Sequence, residues 1–254
     1  MPVRRQPSSS LPVPPDGDVE VRLFGSFRLL QSGSELRCPA SAQRLVALVA
    51  LRGPLPRVYV AGLLWPAGSE QHALGSLRTA LWRLHGLPCP VVEQRGPMLA
   101  LAGGVGTDVA RVTGLAHALL DKPTEMELLP STCRIEAQEL LLGWYDDWVA
   151  LDRERFRQLH LHLLENLAKE LLVRSRHAEA LDSAISAVRV EPLRESAHRL
   201  IMLVHLAEGN LGEAERQLRS CSRLFADELG VAPSSALQQI VTGARTLALA
   251  THTG

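Results

Sequence analysis

The chain has 254 residues, of which 46% are hydrophobic and 21% are charged, and its 27 basic side chains balance its 27 acidic ones. This length permits one large domain or two ordinary ones, and the composition supplies enough apolar side chains for a packed core, which excludes wholesale disorder. No apolar run approaches the roughly 18 residues that a membrane-spanning helix needs, so the sequence predicts no membrane segment.

The balanced total charge conceals a difference between the two halves of the chain. Residues 18–107 contain nine basic and five acidic side chains, a net charge of +4, whereas residues 108–254 contain sixteen and twenty-one, a net charge of −5. A basic first half joined to an acidic second half predicts two modules with different partners.

Residues 1–18 are rich in serine and proline and lack the apolar core of a secretory signal, so we predict a flexible leader. Four cysteines are scattered along the chain without a CxxC pair, a usage typical of reduced thiols in a cytoplasmic protein. They are Cys38, Cys89, Cys133 and Cys221.

The chain after the leader begins with strands. Residues 19–24 alternate between apolar and polar side chains, and turns separate them from two further strand-like stretches at 27–30 and 35–38. Three short antiparallel strands are therefore predicted.

Three helices are predicted next. The first begins with Ser41 as its N-cap and ends before Gly53, the second covers about 58–65, and the third covers 70–85 with Ser69 as its N-cap.

A β-hairpin is predicted after the helices, with strands at 91–95 and 98–102 and a Gly-Pro tip. The glycine-rich stretch 103–106 is interpreted as a linker to the second half, because no βαβ pattern surrounds it.

The second half is predicted to be helical throughout and contains an internal repeat. A shift of 34 residues superposes Arg176-His-Ala-Glu-Ala180 on Asn210-Leu-Gly-Glu-Ala214 and keeps the apolar positions in register. This period is typical of tetratricopeptide-type helical hairpins. We predict two hairpin units over about 160–226, flanked by helices at 135–158 and 234–250.

The third predicted helix has the composition of a helix that reads DNA. Its apolar side chains share one side of the helix: Leu74, Leu77, Leu81 and Leu84. The opposite side carries His72, Gly75, Ser76, Thr79 and Arg83, and the flanks carry Arg78 and Trp82. Arginine can bond guanine bidentately, and serine and threonine can reach bases or phosphates. The alternative interpretation is an ordinary amphipathic surface helix.

The surroundings of this helix favour DNA binding. A short helix and a turn precede it and the hairpin follows it, which is the order of a helix-turn-helix with a wing. Arg44, Arg57 and Arg95 are candidates for phosphate contacts from the flanks, although each taken alone also fits a solvated charge.

Several stretches of the chain resemble a known family. Gly62-Leu-Leu-Trp-Pro66 and the run from Leu74 to Leu84 resemble the OmpR-type winged helix-turn-helix of the Streptomyces antibiotic regulatory proteins. The second half resembles their bacterial transcriptional activation domain, and the resemblance covers residues 19 to about 248. The signatures of the second half are Leu141-Leu-Gly-Trp-Tyr-Asp-Asp-Trp148, Glu154-Arg-Phe-Arg-Gln-Leu159, Ala178-Glu-Ala180, Glu191-Pro-Leu-Arg-Glu-Ser-Ala-His198 and Leu224-Phe-Ala-Asp-Glu-Leu-Gly-Val231.

The predicted architecture is mainly α with a small α+β N-terminal domain. It comprises a leader at 1–18, a winged helix-turn-helix at 19–107 and an all-α, tetratricopeptide-like activation domain at 108–254.

The resemblance also implies a function. Such a protein is a cytoplasmic activator of a biosynthetic gene cluster, for example one that makes an antibiotic or another secondary metabolite. It binds promoter direct repeats as side-by-side protomers and contacts RNA polymerase and its sigma factor. Carried over by position, the DNA-binding residues are Ser76, Arg78, Thr79, Trp82 and Arg83 on the helix and Arg95 in the wing.

One departure from the family bears on affinity. Many relatives end the recognition helix in paired arginines, where this chain has Leu84-His85-Gly86. With a module charge of only +4, we expect modest DNA affinity that requires a second protomer or polymerase.

No catalytic, cofactor or metal site is predicted, since the sequence contains no GxSxG, HExxH or P-loop motif. Glu195 and His198 have the spacing of ligands on a helix but lie within a family signature, so they are interpreted as structural. His160 and His162 would point apart on a helix.

Two alternatives from other classes stay open at this point. One is a helical-repeat scaffold whose winged module docks protein, which steep salt dependence of DNA binding would exclude. The other is a regulator with a small-molecule site in the repeat groove, which ligand-induced stabilisation would favour. Trp144, Tyr145 and Trp148 are interpreted as packing anchors, with a ligand platform as the alternative.

Overall fold

The computed structural model describes residues 18–121 and 139–252. The described residues divide into two compact units. The first unit contains 18–118 and 139–156, and the second contains 119–121 and 157–252. Nearly all of the predicted leader lies outside the described residues.

Two small sheets form the β structure of the first unit. One has four strands in the order β3-β2-β1-β7, and the other has three in the order β4-β6-β5. The strands are β1 (Val19–Arg22), β2 (Arg28–Gln31), β3 (Ser34–Glu35), β4 (Leu55–Pro56), β5 (Val92–Arg95), β6 (Met98–Leu101) and β7 (Val105–Thr107).

Strand β7 corrects the interpretation of 103–106 as a linker. It pairs with β1 in parallel, with Val105 opposite Val19 and Thr107 opposite Val21. The glycines of this stretch have low strand propensity, so the local sequence hides the strand. The pairing places the start of the next helix beside β1.

Four helices belong wholly or mainly to the first unit: α1 (Ala40–Arg52), α2 (Arg57–Leu64), α3 (Glu70–His85) and α4 (Asp108–Asp121). The core of this unit lies around α1, where the run from Leu45 to Val49 is buried without interruption.

The predicted cap of α1 is wrong. Pro39 occupies the N-cap and Ser41 lies inside the first turn. Proline has the backbone angle required to enter a helix, so no side-chain cap is needed there. The predicted cap of α3 is confirmed, because the Ser69 hydroxyl accepts a hydrogen bond of 3.3 Å from the backbone N–H of His72.

The second half is helical in its described part, as predicted. Its helices are α5 (Asp147–Val173), α6 (His177–Val190), α7 (Glu195–Ala207), α8 (Leu211–Leu229) and α9 (Ser235–His252). The helix predicted at 135–158 is wrong at its start, because α5 begins only at Asp147. Residues 139–146 form a β-bridge and turns, and 135–138 lie outside the described residues.

The 34-residue repeat is confirmed by the backbone of its two turns. Ser175 and its counterpart Gly209 both have positive φ, at +58° and +77°. The N–H of Arg176 bonds the carbonyl of Leu171 at 2.9 Å, and the shifted pair, Asn210 and His205, does so at 2.8 Å. The repeat therefore extends from the sequence to the hydrogen bonds that close each hairpin.

Small residues allow the helices of the second unit to pack closely. Ala187 and Ala197 are fully buried with Leu161 and Leu164, and Ala168 and Ala184 are buried with Leu200 and Ile201. No helix in the described part of the chain is long and apolar enough to cross a bilayer.

Candidate nucleic-acid interface

Helix α3 buries one side and exposes the other. Its buried residues are Ala73, Leu77, Ala80, Leu81 and Leu84. Leu74, which was predicted on the apolar side, is only half-buried. The remaining surface carries Glu70 as its single acidic residue, so the exposed side of α3 presents little negative charge to a phosphate backbone.

Three of the predicted DNA-binding residues stand together on this exposed side. Arg78 and Thr79 are exposed, and Trp82 is 76% exposed. The Thr79 hydroxyl donates to the carbonyl of Gly75 at 3.2 Å, so its proton is used within the helix. A guanidinium nitrogen of Arg78 lies beside Gly75, 3.8 Å from the position that a Cβ would occupy there.

Arg83 and Ser76 lie towards the edge of the same side. The Nη1 of Arg83 donates to the hydroxyl of Ser41 at 3.1 Å, which ties this guanidinium to the first turn of α1. Ser76 is half-buried. The serine expected to cap α1 thus serves instead as a hydrogen-bond partner for a predicted DNA-binding arginine.

The hairpin β5–β6 has the geometry predicted for a wing. Its tip is Gly96-Pro97, with Gly96 at φ +60°, a conformation that favours glycine. Arg95 is exposed beside the tip and pairs with Glu93 on the same strand. Arg57 donates to the side-chain oxygen of Gln94 at 3.1 Å, so it braces the hairpin.

Arg44 does not reach the exposed side. Its guanidinium forms an ion pair with Asp146, and its side chain is only 28% exposed. The positive charge of Arg44, which was a candidate for a phosphate contact, is therefore neutralised by Asp146 within the first unit.

Asp146 lies in residues 139–156, which we call the docked segment. This segment comprises the turns before α5 and the first part of α5. A second ion pair joins Arg52 of α1 to Asp152, with 3.0 Å between Nε and Oδ2. Arg52 also donates to the carbonyl of Trp148 at 3.0 Å and lies over the indole ring.

Aromatic rings and backbone bonds complete the attachment of the docked segment. Trp144 stacks on Phe27 with 6.2 Å between ring centroids, and Phe156 meets Phe24 edge-on at 6.0 Å. The N–H of Leu141 donates to the carbonyl of Leu23 at 2.8 Å. Sequence patterns carry no signal for these pairings, because they join residues more than a hundred positions apart.

The aromatic prediction for this segment is confirmed for two residues and wrong for the third. Trp148 is buried and meets Trp144 edge-on, so both pack. Tyr145 is 94% exposed, because it lies in the turn before α5 begins.

Asp108 is a buried residue that the sequence analysis missed. Its Oδ2 accepts from the backbone N–H groups of Leu23 and Phe24 at 2.8 and 2.9 Å, and its Oδ1 accepts from Val109. Burial raises the pKa of this carboxyl, and the three backbone donors oppose that rise. Asp108 thus holds the end of β1 against the start of α4.

Glu195 and His198 are structural, as predicted. The Glu195 carboxylate accepts from the backbone N–H of Ser234 at 2.8 Å. One ring nitrogen of His198 meets the carbonyl of Pro192 and the other meets the amide of Gln217, each at 2.8 Å. No metal-binding group of histidine, cysteine and acidic residues occurs among the described residues.

Comparison with known proteins identifies the second half. Residues 136–243 match the family described as the bacterial transcriptional activator domain. The docked segment is therefore the beginning of the activator domain, although it packs within the first unit.

Two relatives are regulatory proteins. The chain is 29% identical over 256 residues to the regulatory protein AfsR of Streptomyces coelicolor and 28% identical over 250 residues to AfsR of Streptomyces griseus. Each match covers 94% of this chain but only 25% and 26% of the relative. The chain thus spans about a quarter of the length of the curated relatives it matches.

A solved structure shares the fold. EmbR of Mycobacterium tuberculosis, in complex with a low-affinity phosphopeptide, superposes with a TM-score of 0.65 at 16% identity, over 93% of this chain and 70% of that one. The predicted fold class and the resemblance to the Streptomyces antibiotic regulatory proteins are both confirmed.

Proposed function

We propose that the chain is a sequence-specific, DNA-binding transcriptional activator of a biosynthetic gene cluster, and that it acts in the cytoplasm. The observation that carries the proposal is an exposed, N-capped helix, poor in acidic residues and placed beside a wing, in the same chain as an activator domain. Neither part alone predicts both binding to a promoter and activation.

In this proposal α3 enters the major groove. Its N-terminus presents free backbone N–H groups and a favourable dipole to a phosphate. Arg78 is exposed on the groove side and can bond guanine O6 and N7 in a bidentate manner. Thr79, with its proton already donated to Gly75, is left as an acceptor.

Phosphate contacts come from the edges of the proposed interface. Arg83 reaches from α3 towards α1, and Arg95 stands beside the tip of the wing. Both arginines leave their present partners at small cost because these hydrogen bonds are exposed to solvent.

The small number of exposed basic residues sets the mode of binding. Few phosphate contacts mean modest affinity for one protomer. We infer that two protomers occupy direct repeats about one helical turn apart, since both must meet the same side of the DNA.

The activator domain supplies the second contact in this proposal. It binds RNA polymerase and its sigma factor, while the first unit holds the promoter, so each contact raises the effective concentration for the other. Activation then needs no catalytic step by this chain, and the AfsR relatives are likewise named as regulatory proteins.

Footprinting of the purified chain on the promoters of its own genomic neighbourhood tests the proposal, with and without RNA polymerase. We expect protection of two direct repeats one turn apart, strengthened by polymerase. Absence of protection at low salt under both conditions would remove the DNA-binding function. Protection that polymerase leaves unchanged would remove the activator function alone.

A further inference from the structure

An apolar side chain lies on the side of α3 that is opposite its buried residues. Trp82 lies roughly 150° around the helix from the centre of the buried side, given 100° per residue. The residue is 76% exposed. No ring or guanidinium among the described residues stacks on it. An indole in this position serves neither the core of the unit nor the solubility of its surface.

We propose that Trp82 reads a thymine in the major groove by packing against its C5 methyl group. This inference rests on the proposed function and adds the base class that one position of each half-site must contain. The thymine methyl is the apolar group that base pairs display in the major groove, and it is absent from the other three bases.

The surroundings of Trp82 favour DNA over a protein as its partner. Arg78 and Arg83 flank it on α3 and Arg95 stands on the neighbouring wing. These positive charges attract phosphates and repel the same surface of a second copy. The apolar ring within a basic surface therefore matches a groove floor between two phosphate strands.

The shape of α3 gives the ring a way to reach a base. Gly75 lies two turns before Trp82 and points in nearly the same direction. A glycine there lets the helix backbone approach the groove closely. A straight helix then moves away from the curved floor of the groove, so a residue two turns later needs a long side chain to touch a base.

Three neighbours of Trp82 on α3 are polar and are suited to other contacts. The Thr79 proton is committed to Gly75, and Arg83 is tied towards α1 by Ser41. Arg78 is exposed and carries a charged group suited to guanine. Within this side of α3, the indole is the large apolar group against which a thymine methyl can pack.

The test uses the full chain and synthetic duplexes of the footprinted direct repeats, in which each thymine is replaced in turn by deoxyuracil. This replacement removes the methyl and preserves base pairing. We expect wild-type affinity to fall about fourfold at one thymine of each half-site, the effect of one buried methyl group. Trp82→Ala should bind the thymine duplex more weakly and lose nothing further at that uracil.

Two variants control this measurement. Trp82→Phe keeps an apolar ring but lacks the indole N–H, and it should retain the dependence on that thymine methyl. Tyr145→Ala removes an exposed aromatic ring outside α3 and should bind every duplex as wild type does. Because Trp82 and Tyr145 are both exposed, thermal unfolding should be nearly unchanged in all three variants.

Three outcomes would overturn the inference. The first is that the affinity losses caused by Trp82→Ala and by the uracil replacement add up, or that replacing thymine by uracil weakens binding at no position. The second is a Trp82→Phe variant as impaired as Trp82→Ala, which would indicate a polar contact from the indole N–H. The third is that Trp82→Ala weakens binding to a duplex with two half-sites but not to a duplex with one half-site, which would assign Trp82 to a contact with the neighbouring protomer.

Failure of this inference is distinguishable from failure of the proposed function. Wild-type chain that binds no promoter DNA would remove both. Wild-type chain that protects the direct repeats, with affinities that do not couple Trp82 to a thymine methyl, would remove the thymine contact alone.

Discussion

The arginines of α1 and those of α3 have opposite fates in the same unit. Arg44 and Arg52 turn inwards and pair with carboxylates of the docked segment, 102 and 100 positions away in the chain. Arg78 and Arg83 stay on the surface. In the sequence all four are basic residues on amphipathic helices. Which of them is available to a phosphate depends on whether a distant acidic residue returns to neutralise it.

Arg52→Ala is expected to have the largest effect on stability among these arginines. The variant leaves the Asp152 carboxylate, whose side chain is 8% exposed, without its cation. We expect the free energy of unfolding to fall by about 3 kcal/mol, the usual cost of breaking a buried pair on one side. Denaturant unfolding of the variant measures it.

The matched control for Arg52 is Arg78→Ala on α3, which should cost less than about 0.5 kcal/mol because the side chain is exposed. Equal losses of stability from the two variants would contradict the distinction between inward and outward arginines.

A histidine pair on α5 extends the comparison to pH. Burial lowers the pKa of His160 from 6.5 to about 4, whereas His162 on the same helix is exposed. The unfolded chain then takes up a proton more readily than the folded one. Stability from the neutral imidazole is complete above pH 6.5 and is lost as the pH falls towards 4, by up to about 3 kcal/mol.

Unfolding curves between pH 7 and pH 4 measure this contribution. His160→Gln should remove that part of the pH dependence, and His162→Gln should follow the wild-type curve. A His160 variant that keeps the full wild-type slope would show that other groups cause the acid sensitivity.

Arg83→Ala tests the outward arginines on DNA. If Arg83 contacts a phosphate, as proposed, the variant should bind all duplexes more weakly and keep the sequence preference of the wild type. Selection of bound sequences from a random pool gives both quantities. One operator position that becomes permissive, with specific binding weaker by about 1–3 kcal/mol, would assign Arg83, held towards α1 by Ser41, to a base instead.

Arg95→Ala is expected to have the smallest effect. A wing arginine at a phosphate should weaken all duplexes about equally and reduce the slope of log affinity against log salt by about one. Arg44→Ala is the informative comparison, since its pairing with Asp146 predicts an unchanged slope. A larger change in the salt slope for Arg44→Ala than for Arg95→Ala would contradict the conclusion that Arg44 points inwards and Arg95 points to the DNA.

Local signals predicted the limits of α3 and the hairpin well, because a few adjacent residues decide these structures. Ser69 and Gly86 bound α3, and the Gly-Pro tip determines the hairpin. Capping and turn chemistry act over three or four residues, so they can be predicted from the local sequence. Strand β7 was not predicted because Gly106 at its centre has no intrinsic preference for a strand and its pairing partner β1 is distant in the chain.

The position of the docked segment could not be predicted in the same way. Its family signature marks it as part of the activator domain, yet the turn before α5 places Trp144 and Trp148 on the first unit. The assignment of a residue to a compact unit depends on which distant surface it buries. Family boundaries are defined by sequence similarity. Here the boundary of the matched family differs from the boundary of the compact unit.

Local patterns of the chain were enough to predict the helical repeat, the limits of α3, the hairpin of the wing and the family resemblance, because periodicity, capping and turns involve neighbouring residues. The folded chain was needed to show that Arg44 is neutralised, that Ser41 supports Arg83 and that Trp82 is uncovered. Each of these depends on side chains brought together from distant positions, where the free energy of burial and pairing exists only in the folded chain.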